Sequence, residues 1–163
     1  MMPSPARPDQ RFALGGGPWP AAEGRVTRLV RLSNRGDYEE AAQAAEALLA
    51  EGVHDVQVVV RAFFGTFLAR GFVALPAVLG SLAHTLEAAA ASLGPPGGRP
   101  WMEVDVALVW LGRTIKDRID FHQAQRDDIF KGWVAAADLA LVEAIRAAVA
   151  RLADEVERAL PGS

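Results

Sequence analysis

Between Gly36 and Leu86 the sequence GDYEEAAQAAEALLAEGVHDVQVVVRAFFGTFLARGFVALPAVLGSLAHTL keeps its apolar residues three and four positions apart and breaks that rhythm around Gly52 and Gly71. A period near 3.6 gathers such residues on one side of a helix, whereas a half-buried strand needs strict alternation. The segment therefore predicts three amphipathic helices joined by very short turns. The rest of the chain is expected to extend, cover or trail from them.

In the first of these helices Tyr38, Ala41, Ala42, Ala45, Leu48 and Leu49 share one face, Asp37 stands at the cap position and Glu40 follows three residues later, as in a capping box. The second opens after Asp55 and carries Val56, Val59, Val60, Phe63, Phe67 and Leu68, broadened by Val58 and Phe64. So wide an apolar surface predicts burial on two sides and makes this the central core element. Gly65 in its middle costs about 1 kcal/mol against alanine, a cost expected to be offset by close approach of a neighbouring helix. Pro76 fits only a first turn, so the third helix should start close to Leu75 and bury Leu75, Val78, Leu79, Leu82 and Leu86.

Ahead of this segment, a helix is expected from about Ala21 to Asn34, ended by Gly36. It carries Arg25, Arg28 and Arg31, followed by Arg35, and these arginines are expected to pair with nearby acids such as Asp37, Glu39 and Glu40; the sharper alternative is a surface for an anionic partner. Residues 1–20, with five prolines and three consecutive glycines, read as a flexible N-terminal arm. After residue 93 the run Gly94-Pro95-Pro96-Gly97-Gly98-Arg99-Pro100 forms a loop (94–100) that helix cannot cross. Beyond it a fifth helix is expected from about Met102 to Asp127. A connection at Ile129 to Trp133 and a sixth helix from about Val134 to Leu160 should follow. Residues 101–160 would thus form a long helical hairpin or offer a dimer seam, with Arg113–Asp117 and Lys116–Asp120 as pairs one turn apart. The fold class is all-α: a bundle of about six helices built from antiparallel hairpins, in a single domain over 21–160 with a four-helix part at 21–93. The Arg35-Gly36 and Arg70-Gly71 stops lie 35 residues apart, a weakly tetratricopeptide-like period.

Composition removes several classes of function. The chain has 163 residues, half of them apolar, with a net charge of −3 and no cysteine. That excludes disulfides, thiolate nucleophiles and cysteine metal sites. Charges of both signs are interspersed, with no basic block for a phosphate backbone, so no nucleic-acid partner is expected. No run of eighteen consecutive apolar residues occurs and the first twenty residues lack a signal-like apolar core. The expectation is a cytoplasmic protein without membrane insertion.

Reactive groups are sparse. His54, His84 and His122 stand too far apart for a helical histidine pair, and Glu51 to His54 is a single Glu-x-x-His across a glycine where di-iron bundles need two pairs plus further glutamates. Asp117, Asp120, His122, Asp127 and Asp128 cluster near the end of the fifth helix, but Arg113, Lys116, Arg118 and Arg126 are interleaved with them, so an ion-paired surface is the simpler expectation. None of the five serines stands in a nucleophile elbow, and neither glycine run has the lysine and preceding strand of a phosphate loop. The expectation is no enzyme, no cofactor, no metal, and no catalytic or binding side chains to assign.

Residues 37–86 resemble the ImpA-type N-terminal domain found in TssA proteins of bacterial type VI secretion systems. The features that carry this are the alanine-rich helix ending in Leu48-Leu49, His54-Asp55-Val56 opening the next helix, the stop at Gly71 and the leucine-spaced helix from Leu75 to Leu86. The resemblance spans roughly fifty residues and implies a structural component of a contractile secretion apparatus. Its expected partners are other proteins of that apparatus, with self-association through the long C-terminal helices. The alternative is a tetratricopeptide-like adaptor that holds a partner peptide or helix; a third, a small-molecule bundle, would need a polar cavity near His84 or His122.

Overall fold

The computed structural model describes Leu14 and residues 19–93 and 99–160, with residues 19–21, 90 and 99 described in backbone only. The described residues are all-α: α1 (Trp19–Asn34), α2 (Tyr38–Ala50), α3 (Val56–Arg70), α4 (Leu75–Leu93), α5 (Arg99–Gln125), α6 (Asp128–Ala136) and α7 (Leu139–Ala159), with one tight 3-10 turn at Gly71–Ala74 and no strand. The expected arm at 1–20 falls outside them apart from Leu14 and the start of α1, and so do residues 94–98 of the expected Gly/Pro loop (94–100), whose last two residues, Arg99 and Pro100, are instead in the first turn of α5, where proline's missing N–H costs nothing.

Two of the turns are built alike. At the end of α1, Gly36 takes φ +86°, its N–H donates to the Ser33 carbonyl and that of Asp37 to the Leu32 carbonyl; at the end of α2, Gly52 takes φ +85°, with the N–H groups of Gly52 and Val53 on the carbonyls of Leu49 and Leu48. This paired closure uses the left-handed conformation that glycine adopts without a steric penalty. Asp55 caps α3 as expected, its carboxylate accepting from the Gln57 N–H. Asp37 departs from expectation. It makes no capping bond to α2, because its carboxylate is drawn to Arg35 at 2.9 Å while Glu40 is held by Arg28.

α3 is the core element, and its burial on two sides is what the wide apolar surface predicted. Val58 and Ala62 face one cluster with Val26, Leu29 and Leu32 of α1 and Ala41, Ala45 and Leu48 of α2. Val59, Val60, Phe63, Phe64 and Phe67 face a larger cluster with Val78 and Leu82 of α4 and Trp101, Val104 and Leu111 of α5; Leu14 is buried there too. Fully burying one Val, Leu or Phe side chain is worth about 1.5–3 kcal/mol, so α3 alone anchors both halves. Gly65 supplies the close approach expected of it: a Cβ there would overlap the Cβ of Ala42 on α2.

The C-terminal region differs from the expected hairpin. The stretch around Ile129 to Trp133, expected as a connection, is helical as α6, and the chain breaks at Ala137–Asp138 before α7 starts. Each helix has its own cap: Asp127 accepts from the Phe130 N–H and Asp138 from the Leu141 N–H. α5 packs along α3 and α7 packs along α4, so 101–160 does not close on itself as one long hairpin. α7 presents two apolar stripes, and the one that carries Ile145, Leu152 and Val156 packs into the core along α4. For the same reason the two Arg-Gly stops do not introduce equivalent units: α1 and α2 pack together, whereas α4 takes its main partner from the far end of the chain.

The segment Val56–Ala89 is long and apolar enough, with mean hydropathy 1.7, to match a membrane span by composition. It is interrupted at Gly71, which takes φ +69°, and 56% of its most apolar window lies buried inside the bundle. Its hydropathy is accounted for by its place as the α3–α4 core.

Candidate functional site

The arginines of α1 do what the milder reading expects. Arg25 grips both carboxylate oxygens of Glu51 at 2.8 and 2.6 Å, Arg28 reaches Glu40 at 2.9 Å and Arg35 reaches Asp37. All these pairs are exposed, so they are screened and contribute little, but they offset the basic face except at Arg31, which makes no ion pair among the described residues. Glu51, the acidic member of the lone Glu-x-x-His, is thereby committed to Arg25, whose hydrogen bond holds its carboxyl below the usual range.

The acidic cluster near the end of α5 is dispersed by the fold. Asp120 pairs with Lys116 one turn back. Asp117 does not make the expected pair with Arg113; both line a groove instead. His122 is 6% exposed, and its Nδ1 lies 2.6 Å from a carboxylate oxygen of Asp127. The other oxygen of Asp127 caps α6. One carboxylate therefore ties the end of α5 to the start of α6, and the hydrogen bond with His122 holds it below the ordinary carboxylate range. Among the described residues no group of three or more His, Asp or Glu is arranged to hold a metal ion.

Trp133 is the side chain of α6 that engages the bundle. Its indole stacks on Phe72 of the 3-10 turn, lies 5.6 Å from Phe67 of α3 and meets His122 edge-on at 5.3 Å. Gly71 makes room for it, since a Cβ at that position would collide with the indole. The remainder of α6 contains no buried residue. Helical spacing did not single out this dock, although the tryptophan of DIFKGWVAA was a visible signal for it.

His84 sits on α4 under Arg151 of α7, whose two terminal nitrogens lie 3.2 and 3.1 Å from Nε2 and Nδ1, with Glu87 3.5 Å from the same guanidinium. The two ring nitrogens of an imidazole point apart, so a fork that reaches both must lie over the ring face. His84 thus serves the α4–α7 contact. His54 sits half-buried in the α2–α3 turn.

Arg61 is a charged residue that helical spacing did not single out. It is 3% exposed, with Nε on the Ser33 hydroxyl at 2.8 Å, a terminal nitrogen on the Gln57 side chain at 2.6 Å and the guanidinium 4.1 Å over the Trp110 ring. Burial lowers it to about 10, leaving it charged at neutral pH. Trp110 and Tyr38 both meet Phe64 edge-on, at 5.7 and 5.0 Å. Above them lies an open groove of about 490 Å³, lined by Tyr38, Trp110, Val106, Val109, Arg113 and Asp117 among others. A second groove of about 470 Å³ runs between the start of α2 and Arg118, with Asp37, Glu39 and Glu40 on its rim.

In and around the first groove, and along α7, the surface offers apolar helix. Met102, Val106 and Val109 of α5 are 67, 63 and 50% exposed, and Leu139, Val142 and Val149 of α7 are 74, 37 and 50% exposed. Single exposed apolar residues are ordinary, but repeats along one helix mark a contact face. The fold and surface together define a class: an all-α bundle whose outer helices carry unpartnered apolar stripes. No protein-family model, curated protein or solved structure matches the chain.

Proposed function

We propose that this chain is an assembly component of a bacterial type VI secretion-like contractile machine, working in the cytoplasm by protein–protein contact and catalysing no reaction of its own. The observation that carries the contact reading is α7: one apolar stripe is used by α4, and the second, through Leu139, Val142 and Val149, faces outward. The choice of machine rests on the resemblance of residues 37–86 to the ImpA-type domain. Other proteins of the apparatus are its partners, without nucleic acid and without insertion into a membrane. Affinity purification of the chain from its native bacterium, read by quantitative mass spectrometry, should enrich sheath, baseplate or membrane-complex proteins. Recovery of none of them would overturn the assignment.

The Tyr38–Trp110 groove favours a second reading, an adaptor that seats a partner peptide or helix. Its aromatic floor, the aliphatic Val106 and Val109, and charges on Arg113 and Asp117 that are not paired to each other are features of helix-in-groove recognition. Val106→Glu should abolish capture of such a partner while leaving the fold intact, and an unchanged partner list would remove this reading.

A further inference from the structure

The outward stripe of α7 has a pattern that fits its own copy. Leu139, Val142, Arg146, Val149 and Ala153 follow one another at alternating three- and four-residue steps, and all five are exposed. That spacing is the seam of a helix pair. Ala150 and Ala153, beside and on the seam and exposed as well, leave room for a second helix to approach closely. Two opposite charges lie on or beside the seam, Glu143 and Arg146, and neither has an ion-pair partner among the described residues.

We infer that α7 pairs antiparallel with α7 of a second copy of this chain, about a two-fold axis passing between Glu143 and Arg146. In this register Leu139 packs against Val149 of the second copy, and Val149 against its Leu139. Glu143 lies beside Arg146 of the second copy, and Arg146 beside its Glu143. A two-fold interface requires each contact to occur twice; in this register Val142 falls opposite Arg146 of the second copy, whose aliphatic stem covers it while the guanidinium reaches the flanking Glu143. A parallel pairing would set Arg146 against Arg146. Seam length bounds the strength: α7 has 21 residues and so is about 30 Å long. A helix pair that short buries less than the roughly 800 Å² per partner of a standard stable interface, so the dimer is weak and concentration-dependent. The inference deepens the assembly reading above by naming a second copy as one partner, and it does not depend on which machine is involved.

The test is a charge exchange followed by light scattering and sedimentation of the full chain from micromolar to submillimolar concentration. Wild type should shift from monomer to dimer over that range. Glu143→Arg and Arg146→Glu should each stay monomeric, because each creates two like-charge contacts. An equimolar mixture of the two variants should regain association as a heterodimer, and the double exchange should regain it alone. Rescue in the mixture cannot come from a folding defect, and circular dichroism should show both single variants as helical as wild type. A wild type that remains monomeric throughout, or single variants that associate like wild type, would overturn the inference. Self-association without recovery of any secretion protein would leave this interface standing and remove the assignment to the machine; a monomer that recovers those proteins would do the reverse.

Discussion

Trp133 lies against Phe72 with ring centroids 5.0 Å apart and planes 18° from parallel, over the position where Gly71 has no side chain. Sequence-distant residues meet here: a glycine that ends α3 at φ +69° also makes the floor of the dock for α6. Gly71→Ala combines a strained backbone with a collision and should destabilise the fold by about 2–3 kcal/mol. Trp133→Ala removes the stack and should cost about 2–4 kcal/mol. Because the new methyl group collides with the indole, the double variant should lose less than the sum of the two, which chemical denaturation of all four proteins would measure.

The contact between His122 and Asp127 makes the seating of α6 pH-dependent. The folded-state carboxyl of Asp127 is held below its ordinary value of about 4, first by the hydrogen bond with His122 and then by the Phe130 N–H. An acid with a depressed folded value stabilises the fold above its unfolded value, and that contribution disappears as pH falls through the folded value. Asp127→Asn should therefore be less stable than wild type at pH 6, with the gap closing progressively below about pH 4. Unfolding free energies of the two proteins across that range check this; a gap that does not change with pH would separate the contact from stability.

Gly65 and Ala42 test how closely α2 and α3 approach. Gly65→Ala places a methyl group on the Ala42 methyl, so the helices must separate and the fold should lose about 2–3 kcal/mol despite the better helix propensity of alanine. Ala42→Gly added to it should restore a large part of the loss. Thermal unfolding of the single and double variants would show whether the two positions compensate.

Arg61 joins three elements: Ser33 at the end of α1, Gln57 on its own helix and Trp110 on α5. Arg61→Met keeps much of the volume and removes the cost of burying the charge, but it gives up the hydrogen bonds and the contact over the indole. The nearby Asp55 carboxyl, already pushed up by burial, also loses the attraction of the Arg61 cation. We expect a net loss of about 1–3 kcal/mol, and a neutral outcome in denaturant unfolding would mean that packing alone holds this junction.

The parts of the fold legible in the sequence are those decided within a few residues. Gly36, Gly52 and Gly71 end helices because of their own backbone freedom, Asp55 caps by a bond two residues away, and Pro76 can stand only in a first turn. α6 was not legible. Its nine residues include Gly132 and are too few for independent helix, and it is held by Trp133 packing against residues some sixty positions earlier. The choice of partner for α7 was hidden for a different reason: a helix with two apolar stripes does not state which one a neighbour will cover. Of the candidate contact residues, Val142 and Val149 lie within the stretch expected to offer a seam, but that they point outward follows only from α4 having taken the neighbouring stripe. The burial of Arg61 had no local signal, since its partners lie 28 and 49 residues away at Ser33 and Trp110.

The outward face of α7 is where the account is most directly tested. Wild type and Val142→Glu/Val149→Glu chains, both tagged and expressed at native level in the native bacterium, would be purified side by side and their co-purifying proteins quantified. The account predicts secretion-apparatus proteins with the wild type and their loss with the variant, at equal chain abundance and equal helicity. An identical set of partners for both chains, or no apparatus protein with either, would contradict it.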